Sequence, residues 1–280
     1  MSISFPFELE RHIFEIAAHL HPKSIPTLFL VAHRVKTWLE PVLYNVVVFA
    51  NALPGSVCFD YAQFCSAIQS QTTSEYVTNL LISDTGIVDV DDVHLILASC
   101  SAVENLVVVP SHTTYLPFLA AMPLRRLYIS LIETFPPARA IDFTHSLFSY
   151  LTHLLLSDRL EDTQWEDWQG LVLIPNLTHL AFLVERSLPI FQGALTGCPK
   201  LRVLVSLYWQ FHTSSVPEHG LEPLGQDTRF VCMPAPRFSH DWQVGARGGE
   251  DFWVRAEDFV AQRVSERGNR GSFVLRESVY

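Results

Sequence analysis

Two histidines raise the question of chemistry in this chain of 280 residues. His153 and His179 occupy the same place in two copies of one phrase, Leu151-Thr-His-Leu154 and Leu177-Thr-His-Leu180. If each phrase is a strand and the strands are neighbours, the imidazoles lie about 5 Å apart. A pair that close suggests a metal site, but zinc takes three or four ligands. The equivalent places on either side hold Arg126 and Val203, not a carboxylate or a thiol. Repetition of the phrase explains the pair more simply, so no metal and no cofactor is expected. Asp84, Asp89, Asp91 and Asp92 form an acidic turn that lacks the terminal glutamate of a calcium loop, and they suit a solvated turn and helix cap. The five cysteines (Cys58, Cys65, Cys100, Cys198, Cys232) are odd in number and show no close C-x-x-C pair, which points to reduced, buried thiols and a cytoplasmic or nuclear home. No Gly-x-Ser-x-Gly elbow, phosphate loop or dinucleotide fingerprint occurs. The chain is therefore not expected to be an enzyme, and a hydrolase with an unrecognised site is the distant alternative.

The elements that position these residues are written in a repeated phrase, apolar-x-x-Leu-x-apolar. Its central leucines are Leu80, Leu106, Leu127, Leu154, Leu180 and Leu204, spaced 26, 21, 27, 26 and 24 residues apart. Such a period suits a leucine-rich repeat, in which each unit is one strand with a return helix or loop. The fourth and sixth positions of the phrase then face the core, and units must stack because one alone cannot bury its apolar face. The third and fifth positions face the other way. They give one row of Asn79, Asn105, Arg126, His153, His179 and Val203, and a second of Leu81, Val107, Tyr128, Leu155, Ala181 and Val205. Arginine and aromatic side chains among apolar ones suit a protein-binding surface. Its expected centre is Arg126, Tyr128, His153 and His179, with Trp209 at the edge. The competing expectation is that this face is covered by the loop at 212–226 or by the C-terminal segment. The repeats are irregular. The position five after each central leucine, Asn or Cys in regular repeats, holds Thr85, Ser111, Ile132, Arg159, Glu185 and Trp209.

Composition narrows the partners. Nearly half the residues (49%) are hydrophobic and 17% are charged, so the chain has the material for a sizeable core. The net charge is -10, and residues 51–240 hold nine Lys or Arg against eighteen Asp or Glu. A broad nucleic-acid surface needs a basic patch and is not expected. No stretch is long and apolar enough for a membrane span, the most apolar run being Val42–Leu53 with Asn45 and Asn51 inside it. No secretion signal is recognised.

Residues 1–44 have a different rhythm. Leu9, Ile13, Ile16 and Leu20 share one face of a helix opened by Pro6. His21-Pro22 ends it, and Ser24 with Pro26 starts a second helix whose inner face is Leu28, Val31 and Ala32. A third carries Val35, Trp38, Leu39 and Val42, with Pro41 expected to bend it. The run Phe5-Pro6-Phe7-Glu8-Leu9, then Ile25-Pro26-Thr27-Leu28, then Val31-Ala32-His33-Arg34-Val35-Lys36-Thr37-Trp38 resembles an F-box. With Trp38-Leu-Glu-Pro-Val-Leu-Tyr44, the stretch is similar to F-box-like proteins of mushroom-forming fungi. Phe5 stands where that pattern has leucine. The resemblance implies docking on a Skp-type adaptor of a cullin–RING (SCF-type) ubiquitin ligase, with Phe5, Pro6, Leu9, Ile13, Ile25, Leu28 and Val31 as contacts. It also implies that the repeats recruit an unknown target protein for ubiquitylation. A repeat scaffold without ligase association, its helical head acting only as a cap, is the alternative.

The expected architecture is therefore α/β: a three-helix F-box-like bundle over 1–44, then an irregular leucine-rich-repeat solenoid of parallel strands and return helices over 45–240. A capping helix and tail follow over 241–280. Tyr44–Phe49 is a first strand and Thr228–Met233 a further one, Pro234–Gly249 is a loop, and Ser272–Leu275 is a closing strand.

Overall fold

A computed structural model describes residues 6–49, 59, 61–68, 71–83, 89–136, 140–160, 163–183, 187–208, 220–265 and 272–276. The fold is mixed α/β, with parallel strands that follow one another in sequence order. It divides into two compact units, Met1–Glu104 and Asn105–Tyr280. The division falls within the repeated phrases.

The first unit begins with helix α1, Phe7–Leu20, whose N-cap is Pro6 and whose first turn carries Glu8 and Glu10. Those carboxylates favour the positive end of the helix dipole. The chain leaves the helix at His21, the residue before Pro22, where the α conformation is disfavoured. A short α2, Ile25–Leu28, and α3, His33–Tyr44, complete the head, and α3 continues through Pro41 as one helix. Its core is Ala18, Ile25, Val35, Trp38 and Leu39, with Phe14, Leu28 and Val42 packed around them. The Phe7 ring meets Trp38 edge-on with centroids 4.9 Å apart. Arg34 reaches across to Glu10 at 2.7 Å, but Arg34 is solvent-exposed and such pairs contribute little.

Strand β1, Val46–Phe49, follows α3 directly and is buried throughout. Its β-branched residues fit a strand packed on both faces. After α4, Tyr61–Ile68, and α5, Gln71–Glu75, comes β2, Asn79–Ile82, parallel to β1 with Val46 opposite Asn79 and Phe49 opposite Ile82. Helix α6, Val90–Ser99, closes the unit. Asp89 is its N-cap and exchanges hydrogen bonds with Asp92 as a capping box, which gives part of the acidic turn a structural role. Asp84 lies outside the described residues.

Among its described residues the second unit has six strands in sequence order: β3 Asn105–Val108, then α7 Leu116–Ala121, β4 Arg126–Ile129 and α8 Leu131–Thr134. Next come β5 His153–Leu156, α9 Trp165–Trp168, β6 His179–Leu183, α10 Leu188–Gly197, β7 Val203–Tyr208 and β8 Phe230–Pro234. All pairings are parallel, and the register puts like positions of the phrase side by side. Leu106, Leu127, Leu154, Leu180, Leu204 and Phe230 form one row, all buried. The return segments are mostly short, and the one that leads into β5 ends in a single 3-10 turn, Ser146–Phe148.

In the second unit one carboxylate, Asp158, is only 2% exposed. Its carboxylate accepts from Ser130 Oγ at 2.8 Å, Leu131 N at 3.0 Å and Ile132 N at 2.8 Å, and so holds the start of α8. Ser111 Oγ accepts from Ser130 N at 3.0 Å, which ties the preceding turn to the same point. Burial raises the Asp158 pKa, and the donated hydrogen bonds oppose that shift.

The C-terminal segment departs from expectation. The span 234–249 contains a helix, α11 Phe238–Ala246, followed by α12 Phe252–Ser265. Gly248 makes the turn between them with φ +80°, a conformation that favours glycine. At Gly245, inside α11, a Cβ would overlap the Asp251 carboxylate, so only glycine lets Asp251 lie against this helix. Ser272–Leu275 contributes one bridge, Val274 beside Cys232, and no full strand. Instead of merely closing the end of the strand row, α11 and α12 pack on its face. Phe252, Trp253 and Ala256 form one core with Leu155, Ala181, Val205 and Val231.

Candidate functional site

Each unit carries one constellation from the sequence. In the first, Leu9, Ile13, Ile16 and Leu20 lie at helical spacing on α1 and are exposed at 52%, 54%, 45% and 69%. The opposite side of the helix, Phe14 and Ala18, carries the contacts to the head's core. Leu30 and Val31, after α2, are exposed at 85% and 60%. Val31 is therefore not on the inner face of the second helix, because the chain turns out of α2 at Leu28 before reaching it.

Of the residues expected to contact an adaptor, Pro6, Leu9, Ile13 and Val31 are accessible. Ile25 is not: at 2% exposure it belongs to the head's core. Leu28 is half-buried against the same core. Phe5 lies outside the described residues. Sequence spacing identified the α1 row, and its exposure follows from the head using Phe14, Ala18 and Trp38 to fill its interior.

In the second unit, register brings Asn105, Arg126, His153, His179 and Val203 into one row. The C-terminal helices meet this row with polar partners. Arg126 Nη1 donates to Asp251 Oδ2 at 2.9 Å, and Trp242 Nε1 donates to Asn105 Oδ1 at 3.1 Å. The two imidazoles stack face to face with centroids 4.0 Å apart and planes within 3°. The Trp253 ring stands edge-on to both, at 5.3 and 5.7 Å. Tyr128 meets Phe238 edge-on at 4.6 Å, and burial pushes its phenol up to about 12. Of the two expectations for this face, the covered one describes the structure, with α11 and α12 as the cover. Arg126, Tyr128, His153 and His179 all take their neighbours from within the unit. Trp209 lies outside the described residues.

Electrostatics fix the protonation of the stack. Burial lowers the His153 pKa to about 2, helped by the charges of His179, Arg126 and Arg202. Burial also lowers that of His179, against the raising effect of Glu257. Both rings are neutral near pH 7. His179 Nε2 lies 2.9 Å from Glu257 Oε1, and an ionised carboxylate only accepts, so Nε2 carries the proton. Nδ1 lies 2.8 Å from Thr178 Oγ1. This hydroxyl–imidazole–carboxylate chain has the components of a nucleophile and its base. However, Thr178 Oγ1 is also within 3.2 Å of the Thr152 carbonyl, and Thr152 and His153 repeat the contact at 2.9 Å without an acid. The chain is a strand-edge ladder produced by the repeated Leu-Thr-His-Leu phrase. Among the described residues no group of three or more His, Cys, Asp or Glu is arranged to hold a metal ion.

Cys100 and Cys198 are buried, and burial pushes their thiols up to about 12 and about 11, away from the reactive thiolate. Among the described residues no helix is long and apolar enough to cross a membrane.

Sequence reasoning did not find Asp251, Glu257, Trp242 and Trp253, which complete the sheet-face constellation. One signal was available. Strands buried on both faces read as continuous apolar runs, and Leu154-Leu-Leu156, Leu180-Ala-Phe182, Val203-Leu-Val205 and Phe230-Val-Cys-Met233 are such runs.

A scan against protein-family models matches none, and a search of curated proteins finds no match.

Proposed function

We propose that the chain is a substrate-recruiting adaptor of an SCF-type cullin–RING ubiquitin ligase, and that its N-terminal helices dock as an F-box on a Skp-type adaptor. The observation that carries this reading is the bare apolar row on α1, Leu9, Ile13, Ile16 and Leu20, beside exposed Val31. Four large apolar side chains aligned on one helix face cost solubility, and in a folded chain they mark a place for another protein. A helix laid against a complementary groove through positions i, i+4, i+7 and i+11 is a recurring mode of such docking. The resemblance of residues 5–44 to an F-box supplies the partner's identity. Ile25 contributes by holding α2 in the head's core, not by touching the partner. On this reading the body is an irregular leucine-rich repeat, and the chain performs no chemistry. It acts by raising a target's effective concentration near the transferred ubiquitin.

The test is direct binding of the full chain to a purified Skp-type adaptor by calorimetry. Saturable binding, lost in the double variant Leu9→Asp/Ile13→Asp while the melting temperature is kept, is the expected result. Absence of binding by the native chain, or equal binding by that variant, overturns the proposal and leaves the scaffold reading.

A further inference from the structure

With the sheet face filled from within, recruitment of a target needs another surface. The second unit has a cleft of about 590 Å³ on the outer side of its C-terminal helices. One wall is the start of α11, with Arg237, His240 and Asp241 at helical spacing. The other is a stripe of α12, with Arg255, Asp258, Phe259 and Gln262 at i, i+3, i+4 and i+7. Leu275, Pro236 and Glu250 complete the lining. From residue 255 to residue 262 a helix rises about 10 Å, the length of three extended residues.

The charges of the lining divide into used and unused. Asp241 Oδ1 accepts from Arg255 Nη2 at 2.8 Å, and its Oδ2 accepts from Phe252 N at 2.9 Å, so this buried carboxylate is satisfied. Among the described residues, the carboxylates of Glu250 and Asp258 take no hydrogen bond or ion pair. Of the two arginines in the lining, Arg255 is committed to Asp241, which leaves Arg237 to oppose them. The unused charge is therefore acidic, beside an apolar strip of Phe259, Leu275 and Pro236.

We propose that this groove binds a short extended segment of a target protein in which a basic side chain stands next to an apolar one. The basic head lies between Glu250 and Asp258, its methylene stem and the apolar neighbour lie on Phe259 and Leu275, and His240 meets the peptide backbone. This deepens the adaptor reading, from which the notion of a target comes, by placing recruitment on the C-terminal helices and giving the motif its chemistry. Contacts at exposed carboxylates are individually weak and screened by salt.

The test uses the full chain and two pools of fluorescein-labelled hexapeptides, identical except that the central pair is Arg-Leu in one and Glu-Leu in the other. Fluorescence anisotropy is read at roughly 50 and 300 mM salt, to either side of the ionic strength at which the Debye length is about 8 Å. The proposal predicts saturable binding of the Arg-Leu pool, weakened at the higher salt. It also predicts about tenfold weaker binding for Glu250→Gln/Asp258→Asn, as two exposed ion pairs would give. Both side chains are exposed, and an unchanged melting temperature for the variant shows that the fold is intact. Equal or tighter binding of the Glu-Leu pool, no saturation with either pool, or an unaffected double variant overturns it. A chain that binds the Arg-Leu pool but not the Skp-type adaptor contradicts the ligase reading alone, and the converse contradicts the groove alone.

Discussion

On α1, Leu9, Ile13, Ile16 and Leu20 stand in water at 45–69% exposure, while on the outward sheet row Leu155, Ala181, Val205 and Val231 are at most 2% exposed. The side chains are of the same kind, and both rows were legible as periodic. They differ in what the chain supplies to cover them. The sheet row is met by Phe252, Trp253 and Ala256 from the same chain, with Asp251 and Glu257 reaching Arg126 and His179 in the neighbouring row of the same face. No described residue of the first unit covers the α1 row, and on the proposed reading its partner is another protein. Periodicity therefore locates an apolar surface without saying whether it is interior, filled by the chain's own helices, or reserved for another molecule.

That contrast can be broken most sharply at Trp253. Truncation to alanine removes the ring that packs on both histidines, and the second unit should lose about 3–5 kcal/mol, measured by denaturant unfolding. A loss below about 1 kcal/mol would mean that the helices only rest on the sheet. Asp251→Ala comes next. It leaves the Arg126 guanidinium facing an emptied site, but Arg126 is about one-third exposed. The expected cost is accordingly about 2 kcal/mol, below that of a fully buried pair.

Acid sharpens the same point. His153 has its pKa lowered in the fold to about 2, so the unfolded chain binds the proton more readily, and stability rises with pH. The contribution is complete above the unfolded value near 6.5 and is lost as pH falls below it. Partial exposure of the ring limits the loss to about 1–2 kcal/mol by pH 5. His153→Gln should flatten that part of the pH profile, as followed by melting temperature. The smallest effect belongs to α1, where Ile13→Ser should change stability by no more than about 0.5 kcal/mol while weakening adaptor binding. A large stability loss there would show that the row is not bare.

Much of the second unit could be read in advance because its signal is carried by residue type at fixed phase. Leu127, Leu154 and Leu180 align as the phrase predicts, and with them Arg126, His153 and His179. What escaped lies where local preference and tertiary packing disagree. α11 contains Gly245, a poor helix residue worth roughly 1 kcal/mol against the helix. Its reason for being glycine is the approach of Asp251, which no local pattern announces. Asp158 sits one residue before the expected ladder position, beside Arg159, and only the start of α8 shows why a carboxylate is buried there. In the head, helix existence was legible, but the partition between Ile25 as core and Ile13 as surface was not. The two are equally apolar, and only the packing around Trp38 separates them.

The contrast between the bare row and the covered row is tested most directly by thiol labelling of two single-cysteine additions, Ile13→Cys and Ala256→Cys, read by peptide mass mapping with and without a Skp-type adaptor. The account predicts that Cys at 13 reacts as fast as an exposed thiol in the free chain and slows in the complex. Cys at 256 should react only at the rate of unfolding in both conditions. Slow labelling at 13 in the free chain, no protection by the adaptor, or rapid labelling at 256 would contradict it.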